Sequence, residues 1–323
     1  MWVHGVRARG AGWGKGAKGL RHVVWTHEGC LDGATASLLA KKAWPDAEIR
    51  YIEPARVDEA MLGTFATGEK GRLTLVDVAP SPEALSRVPG GVQVRVLDHH
   101  ETARRIADER GVTVDTSRCG SYLHWQELVS QGYPLLEYER LVDLVDDRDR
   151  WVKLDPVADE VALLYDALGR TWYHLRFATP PPAKGTIWTR EERAILANLR
   201  DRMQRRRNKT LERAIELTDP RGLRVHAALV SGDASDTGHL LAEGYDYALM
   251  LNPNTGAISL RGTGKVDLAA LAEHYGGGGH PNAAGFVPKR LDALYRELFQ
   301  AVLTQEGVEA RRVPAEDQTT GAK

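Results

Sequence analysis

Residues able to bind a divalent ion follow three short apolar runs of the sequence, at the point where each run ends. His27 follows the first run, Asp77 the third, and Asp98-His99-His100 the fourth. Carboxylates and imidazoles in this mixture suit ions such as Mn²⁺, Fe²⁺ and Co²⁺. One such residue alone is typical of a helix cap or a structural histidine. The repeated placement is what predicts a metal site.

Two further segments add ligand-type residues. Cys30 and Asp32 are two positions apart in the segment after the first run, and Asp146, Asp147 and Asp149 follow an apolar helical segment. Together these residues exceed what one ion needs, so the sequence predicts two ions. Two ions about 3.5 to 4 Å apart, sharing a carboxylate and a water, generate hydroxide near neutral pH and screen the charge of a phosphate.

The elements that must position these residues are short strands alternating with helices. The predicted strands are Val23–Thr26, Ile49–Ile52, Leu73–Val76 and Val92–Leu97. β-Branched runs separated by helical spacing are typical of βαβ units around a parallel sheet. In such sheets ligands bind at the carboxyl edge, where the strand ends meet. The ligand-type residues are therefore expected to converge on one crevice.

A proline-rich break, Thr179–Gly185, predicts a second domain. After it come a helical segment with a basic run from Arg200 to Lys209, then new short strands and a helix over Leu268–His274. The basic run is interpreted as a solvated connecting helix, with a nucleic-acid contact as the alternative. The predicted organisation is a flexible tail (1–20), a metal-binding catalytic domain (21–177), a linker and helix (178–218), a substrate-binding domain (219–306) and a second tail (307–323).

Composition narrows the function classes. The chain has 323 residues, 42% of them hydrophobic, and 43 Lys and Arg against 44 Asp and Glu. This balance disfavours binding of long duplex nucleic acid, which needs an excess of positive charge. Two cysteines make a disulfide framework implausible. No apolar run reaches the roughly 18 residues of a membrane span. We expect a cytoplasmic protein with no membrane partner.

Four segments resemble, in order, the motifs of the DHH phosphoesterase family, which includes RecJ-like nucleases, nanoRNases and family II pyrophosphatases. They are His27-x-x-Cys30-x-Asp32-Gly33, Val76-Asp77, Leu97-Asp98-His99-His100 and Asp147-Arg148-Asp149-x-Trp151. Tyr275–Phe286, with its run of four glycines, is similar to the signature of the associated DHHA1 domain. The resemblance covers roughly residues 22 to 300 and implies an α/β fold: a parallel-sheet DHH domain and a smaller mixed α/β DHHA1 domain, joined by a helical linker.

The resemblance also implies the ligands of two metal ions. His27, the position of Cys30, and Asp77 would bind one ion. The second ion would be bound by Asp32, Asp77, His99 and an aspartate of the fourth motif. We expect Asp147 in that last role because it follows the apolar helical segment, with Asp149 as the fallback.

Asp98 and His100 would take part in catalysis around these ions. Asp98 would hold the ring of a neighbouring histidine in one tautomer. His100 would bind the phosphate or protonate the departing oxygen.

Cys30 departs from the commoner family pattern, which has aspartate there. A thiolate is a poor ligand for Mn²⁺ or Mg²⁺ and a good one for Zn²⁺ or Fe²⁺. Mn²⁺ is the expected metal for the pair, with Fe²⁺, Co²⁺ or Zn²⁺ as alternatives because of Cys30. The other interpretation is that Cys30 is a small buried residue that binds no ion.

Substrate binding is expected in the second domain. The glycine run lets backbone amides approach a phosphate, and neighbouring side chains add donors. Arg261 resembles the arginine of the family's Ser-Leu-Arg motif, and would bind a terminal phosphate with two hydrogen bonds. The predicted substrate-binding residues are Arg261, Gly277, Gly278, Gly279, His280 and Asn282.

These features predict a metal-dependent phosphodiesterase that hydrolyses short oligoribonucleotides or linear dinucleotides to mononucleotides by a two-metal hydroxide mechanism. The resemblance leaves other activities open: a cyclic-nucleotide or cyclic-dinucleotide phosphodiesterase, an inorganic pyrophosphatase or exopolyphosphatase, a processive single-strand exonuclease, and a nucleotide sensor without activity. The expected partner is a short RNA or dinucleotide, and a homodimer is possible.

Overall fold

The computed structural model describes residues 20–232 and 234–288. The chain divides into two compact units between Lys209 and Thr210. The predicted tails 1–20 and 307–323 lie outside the described residues, apart from Leu20. The other predicted domain boundaries stay predictions. Within the described part of the chain, no helix has the length and apolar character needed to cross a membrane.

The first unit is built on a parallel sheet, as predicted, with a fifth strand beside the four predicted ones. Its strands are β1 (Arg21–His27), β2 (Glu48–Ile52), β3 (Gly71–Val76), β4 (Val92–Asp98) and β5 (Val112–Val114). Their order across the sheet is β2-β1-β3-β4-β5, with every neighbouring pair parallel. The chain adds β2 on one side of β1 and then β3, β4 and β5 on the other side, so the direction of strand addition reverses between β1 and β3. A crevice forms at such a reversal, at the carboxyl ends of the strands.

Helices cover both faces of this sheet. The helices of this unit are α1 (Leu31–Ala43), α2 (Val57–Leu62), α3 (Pro82–Ser86), α4 (Gly120–Ser130), α5 (Glu139–Asp149) and α6 (Pro156–Arg176). Helix α7 (Arg190–Glu212) follows in the chain and extends past Lys209. Alternate residues of β1 face opposite sides: Val23 and Trp25 pack in the core that contains α2, whereas Val24 packs against Ala40 of α1. This burial on both faces explains why the strands are nearly continuous apolar runs.

The second unit has a six-stranded mixed sheet, which confirms the predicted mixed α/β architecture. Its strands are β6 (Ile215–Thr218), β7 (Arg224–Leu229), β8 (Tyr247–Leu251), β9 (Ile258–Gly262), β10 (Gly278–His280) and β11 (Ala283–Phe286). Their order is β10-β11-β9-β8-β7-β6, and β7 and β8 pair in parallel while the others pair antiparallel. The helices are α8 (Ala234–Ala242) and α9 (Leu268–His274).

One local prediction differs from the structure. Helical spacing over Thr189–Leu217 predicts a helix that reaches Leu217, but α7 ends at Glu212 and β6 begins at Ile215. The strand is only four residues long and lies at the edge of its sheet, so its signal is brief. In the glycine run, Gly278 and Gly279 lie in β10, which pairs with β11.

Candidate metal centre

Asp77 lies at the centre of a group of ligand-type side chains at the carboxyl edge of the parallel sheet. It follows β3, is 2% exposed, and donates its backbone N–H to the Leu97 carbonyl oxygen at 3.0 Å. Its φ of +63° is in the left-handed region, which an aspartate tolerates better than most residues. We call the surrounding set the Asp77 cluster: His27, Cys30, Asp32, Asp77, Asp98, His99, His100 and Asp149.

The two carboxylate oxygens of Asp77 face different partners. Oδ2 lies 3.1 Å from the Cys30 Sγ and 3.6 Å from the His27 Nδ1. Oδ1 lies 3.3 Å from the His99 Nε2 and 3.9 Å from the His100 Nδ1. Asp77 thus sits between two sets of possible ligands, which is the geometry that a bridging carboxylate requires.

The first set, which we call the Cys30 triad, consists of His27, Cys30 and Asp77, whose ligand atoms all lie within 4.8 Å of one another. Cys30 is the N-cap of α1 and accepts the N–H of Gly33 at 3.1 Å. Burial raises the pKa of the Cys30 thiol well above its usual range, and Asp77 adds to the effect. Burial lowers the pKa of His27, but Asp77 outweighs it and leaves that pKa raised.

The second set, which we call the Asp32 triad, consists of Asp32, His99 and Asp149, again within 4.8 Å. The fully buried Asp32 accepts the N–H groups of Gly120 and Ser121, each at 2.8 Å. Asp149 is the last residue of α5, and its Oδ2 lies 3.4 Å from the His99 Nε2. These contacts leave each carboxylate with lone pairs for a cation, since every oxygen has two.

Negative charge is crowded in this cluster. Burial raises the pKa of Asp32 to about 7 and that of Asp149 to about 6, and neighbouring carboxylates add to both shifts. For Asp77, burial is outweighed by hydrogen bonds from His27 and His99, which hold its pKa far below its usual range. Burial lowers the pKa of His99, but the bond to Asp77 outweighs it and raises that pKa to about 10. A divalent cation would relieve the same repulsion, so the donor set fits metal binding.

Asp98 organises the turn that carries the two histidines. Its Oδ1 accepts the N–H groups of His99 and His100, at 2.6 and 3.0 Å, and contacts the His100 Nδ1 at 2.7 Å. Because a carboxylate only accepts, the Nδ1 of His100 must carry the proton. This arrangement is the one expected for a residue that holds a histidine in one tautomer.

The aspartates at the end of α5 have separate environments. The Asp147 carboxylate accepts the N–H groups of Leu154 and Asp155, at 2.9 and 2.7 Å. Asp146 accepts the N–H of Cys119 at 2.7 Å and binds two arginines, Arg118 at 2.8 Å and Arg150 at 3.1 Å. The structure therefore brings Asp149 into the cluster in place of the expected Asp147. The reason is that α5 continues to Asp149, and successive helical residues point 100° apart.

The start of α4 is a part of the site that the sequence reasoning missed. A Cβ at Gly120 would lie 2.9 Å from the Asp77 Cβ and 3.0 Å from the Asp32 Oδ2. Only a glycine lets the helix approach this closely and place two backbone N–H groups on Asp32. The one available signal was the glycine in Cys119-Gly120-Ser121 at a predicted helix start.

The expected substrate-binding residues lie in the second unit, around one edge of its sheet. Ala283 of β11 pairs with Arg261 on one side and with His280 on the other. Residues directly opposite one another in a sheet point to the same face, so Arg261 and His280 share a face, about 10 Å apart. Arg261 donates to the Ser235 Oγ at 3.0 Å and to the Leu260 carbonyl at 2.8 Å. Asn282 lies in the turn between β10 and β11, where its backbone carbonyl oxygen accepts the Gly262 N–H.

The three predicted glycines of this edge are not equivalent. A Cβ at Gly277 would lie 2.0 Å from the Gly285 carbonyl oxygen. Gly279 has a φ of +138°, and a Cβ there would lie 2.5 Å from the Ala283 carbonyl oxygen. At Gly278, no described atom lies within 4 Å of the added Cβ. Gly277 and Gly279 are thus required by the packing of the hairpin, whereas Gly278 faces open space.

Comparison with known proteins gives the class of this fold. No protein-family model matches the chain. A solved DHH domain, from a member of the s1p family of ribosomal proteins, superposes with a TM-score of 0.55 at 13% identity, covering 88% of this chain and 87% of that one. This likeness shows that the chain has the fold of a DHH domain, with the Asp77 cluster at the carboxyl edge of its parallel sheet.

A curated relative gives a more particular similarity. The chain is 25% identical over 300 residues to the oligoribonuclease NrnB of Bacillus subtilis, covering 84% of this chain and 73% of the relative. That alignment is long enough to include segments of both units.

Proposed function

We propose that this protein is a metal-dependent phosphodiesterase of the DHH family that hydrolyses short oligoribonucleotides or linear dinucleotides to mononucleotides. The observation that carries the proposal is the Asp77 carboxylate, which has ligand-type side chains on each of its two oxygens. The similarity to an oligoribonuclease supports the substrate class. The cytoplasmic location and the homodimer stay predictions.

The metal ligands follow from the two triads. His27, Cys30 and Asp77 would hold one divalent ion, and Asp32, Asp77, His99 and Asp149 the other. When bound, such a pair supplies a nucleophile from water near neutral pH and offsets the charge of the attacked phosphate. Asp77 has the central role, because it faces both groups.

Protein groups would bind the substrate and move a proton. His100, fixed by Asp98 through its Nδ1, would bind the phosphate or donate a proton to the departing oxygen. In the second unit, Arg261 and His280 share a face of the sheet and would bind a terminal phosphate. The open position at Gly278 would let backbone approach that phosphate.

A substrate panel tests this proposal. The full chain, purified without chelator, is incubated with Mn²⁺ and with pApA, a short RNA, a long single strand, a cyclic dinucleotide, pyrophosphate or polyphosphate. We expect mononucleotides from pApA and the short RNA at the highest rates. Turnover mainly of pyrophosphate, polyphosphate, cyclic dinucleotide or the long strand would replace the proposal with the corresponding activity, and no turnover with any metal would favour a sensor.

The Asp77→Asn variant tests the role of the shared carboxylate. It keeps the side-chain volume but replaces one oxygen with an N–H donor, so turnover should fall at least about 1000-fold, in line with loss of a central catalytic group. Asp143→Asn is the matched control, because Asp143 is an exposed residue of α5 outside the Asp77 cluster. Full activity of Asp77→Asn would refute the two-metal mechanism.

A further inference from the structure

The two triads around Asp77 offer different donor atoms. The Cys30 triad contributes sulfur, nitrogen and oxygen, whereas the Asp32 triad contributes oxygen and nitrogen. Soft thiolate ligands select ions such as Zn²⁺ and Fe²⁺, and carboxylates suit Mn²⁺ and Mg²⁺. We propose that the centre binds two different metals: a thiophilic ion, Zn²⁺ or Fe²⁺, at the Cys30 triad, and a hard ion such as Mn²⁺ at the Asp32 triad. This inference rests on the proposed function, because it assigns ions to the same centre.

The distances in the Cys30 triad suit a small tetrahedral ion. Ligand atoms of a tetrahedral zinc site lie about 3.3 to 3.5 Å apart for nitrogen and oxygen and about 3.5 to 3.7 Å apart when one of them is sulfur, given the usual bond lengths. In the structure the Sγ of Cys30 and the Nδ1 of His27 lie 3.1 and 3.6 Å from the same oxygen of Asp77. Both distances lie within about 0.6 Å of those values.

One backbone contact at Cys30 favours a thiolate ligand, against the burial and the Asp77 charge that oppose it. The Sγ accepts the N–H of Gly33, at the first turn of α1, as an N-cap does. Backbone N–H groups at a helix N-terminus stabilise negative charge, and a bound cation would supply the rest of the compensation, because a thiol that coordinates a metal ion is deprotonated. Gly33 can hold this position because it has no side chain: a Cβ there would lie 2.2 Å from the His27 carbonyl oxygen.

The Asp32 triad has a different character. Two of its three residues are carboxylates, and both oxygens of Asp32 are fixed by backbone N–H groups of α4. Oxygen-rich sites with fixed carboxylates favour hard ions. The shared Asp77 then joins a sulfur-containing position to an oxygen-rich one.

The cysteine content of the chain makes the proposal directly testable. The sequence has two cysteines, Cys30 and Cys119. Cys119 is fully buried, contacts the Ser121 Oγ at 3.5 Å and belongs to neither triad. A sulfur–metal signal can therefore be assigned to one residue with a single matched control variant.

Cobalt binding provides a readout that does not depend on turnover. Metal-free full-length protein is titrated with Co²⁺, and the near-ultraviolet sulfur-to-cobalt charge-transfer band is recorded. We expect the band in the native chain and in Cys119→Ser, and its loss in Cys30→Ser. A serine hydroxyl still accepts the Gly33 N–H, so α1 should be retained, and circular dichroism checks this.

Metal competition tests the selectivity. The metal-free native chain is equilibrated with one equivalent of Zn²⁺ and an excess of Mn²⁺, dialysed and analysed for both metals. We expect retention of both ions in the native chain. In Cys30→Asp, the preference of the first position for Zn²⁺ over Mn²⁺ should fall on the order of 10- to 100-fold, because the soft ligand is lost.

The outcomes separate the inference from the proposed function. If Co²⁺ binds without a charge-transfer band, or the band survives in Cys30→Ser, the inference is overturned, while turnover of pApA would leave the proposed function standing. If the band depends on Cys30 but none of the phosphate substrates is hydrolysed, the mixed-metal assignment holds and the proposed function fails.

Discussion

Three aspartates within one turn of α5 have three different partners. Asp149 lies beside His99, Asp147 accepts two backbone N–H groups after the helix, and Asp146 binds Arg118 and Arg150. The same residue type therefore serves as a candidate ligand, a cap and an ion-pair partner. What differs is the direction in which the helix points each side chain.

A pair of amide substitutions distinguishes the ligand from the cap. In Asp149→Asn we expect metal affinity to fall about 10- to 100-fold, as for losses around metal sites, with stability of the metal-free protein little changed. In Asp147→Asn we expect the free energy of unfolding to fall by about 0.5 to 1.5 kcal/mol, because one partly buried backbone N–H loses its carboxylate acceptor. Calorimetric metal titration and urea unfolding measure the two quantities. The reverse pattern would make Asp147 the ligand.

Two histidines of the first unit, His22 in β1 and His124 in α4, predict that the stability of the fold is sensitive to acid. Burial lowers the pKa of His124 to about 3 and that of His22 to about 4, from an ordinary value of 6.5. Below that value the unfolded chain takes up protons that the folded chain does not, so stability is lost as the pH falls from 6.5 towards the folded pKa values. Each histidine contributes a slope of about 1.4 kcal/mol per pH unit in that range.

The variant His124→Leu should flatten this dependence. It removes one proton uptake on unfolding, so the difference in unfolding free energy between variant and native chain should move in favour of the variant as the pH falls from 6.5 to 4. Urea unfolding of both metal-loaded proteins across this range measures it, and the titration of the Asp77 cluster cancels in the difference. Parallel curves for the two proteins would contradict a neutral buried His124.

At the scale of elements, the β10–β11 hairpin separates the glycines needed for packing from the glycine open to a ligand. Gly277 and Gly279 lie against the backbone of β11 and its neighbours, whereas Gly278 faces open space. A glycine-rich signature in a sequence cannot show this division, because the pairing partner lies on another strand. The structure shows that this one motif contains two glycines that the packing requires and one that faces open space.

Alanine substitutions in this hairpin test the division. Gly277→Ala should lower the stability of the second unit by about 1 to 3 kcal/mol, because the added Cβ overlaps the Gly285 carbonyl. Gly278→Ala should leave stability within about 0.5 kcal/mol but raise the KM for pApA. Thermal unfolding and steady-state kinetics provide the measurements. An unchanged KM in Gly278→Ala would remove this position from substrate binding.

At the scale of the whole molecule, hydrophobic periodicity in the sequence predicted the strands of the parallel sheet and the residues that follow them. Buried parallel strands are continuous apolar runs, and the ligand-type residues after β1, β3 and β4 meet because those strands are neighbours. The choice between Asp147 and Asp149 depended on where α5 ends, which composition does not fix. The close approach of Gly120 to Asp77 joins residues distant in sequence, so no local pattern could reveal it.

Removal of metal should affect the two units differently. The Asp77 cluster joins β1, α1, β3, β4 and α5 of the first unit, so each ion present at about 100 times its Kd should stabilise that unit by about 2.7 kcal/mol. Hydrogen exchange with and without chelator should show faster exchange in β1 and β3, with β7 and β8 as the internal control. Equal acceleration in both units would contradict a metal centre confined to the first.

Asp149 is the last residue in sequence order of the Asp77 cluster. The Cys30 triad is complete in sequence at Asp77, whereas the Asp32 triad requires residues through Asp149. During synthesis on a ribosome, the sulfur-containing position would therefore have all its ligands available many residues before its neighbour does. In the proposed centre, the ligands of the thiophilic ion are thus all synthesised before the last ligand of the hard ion, Asp149.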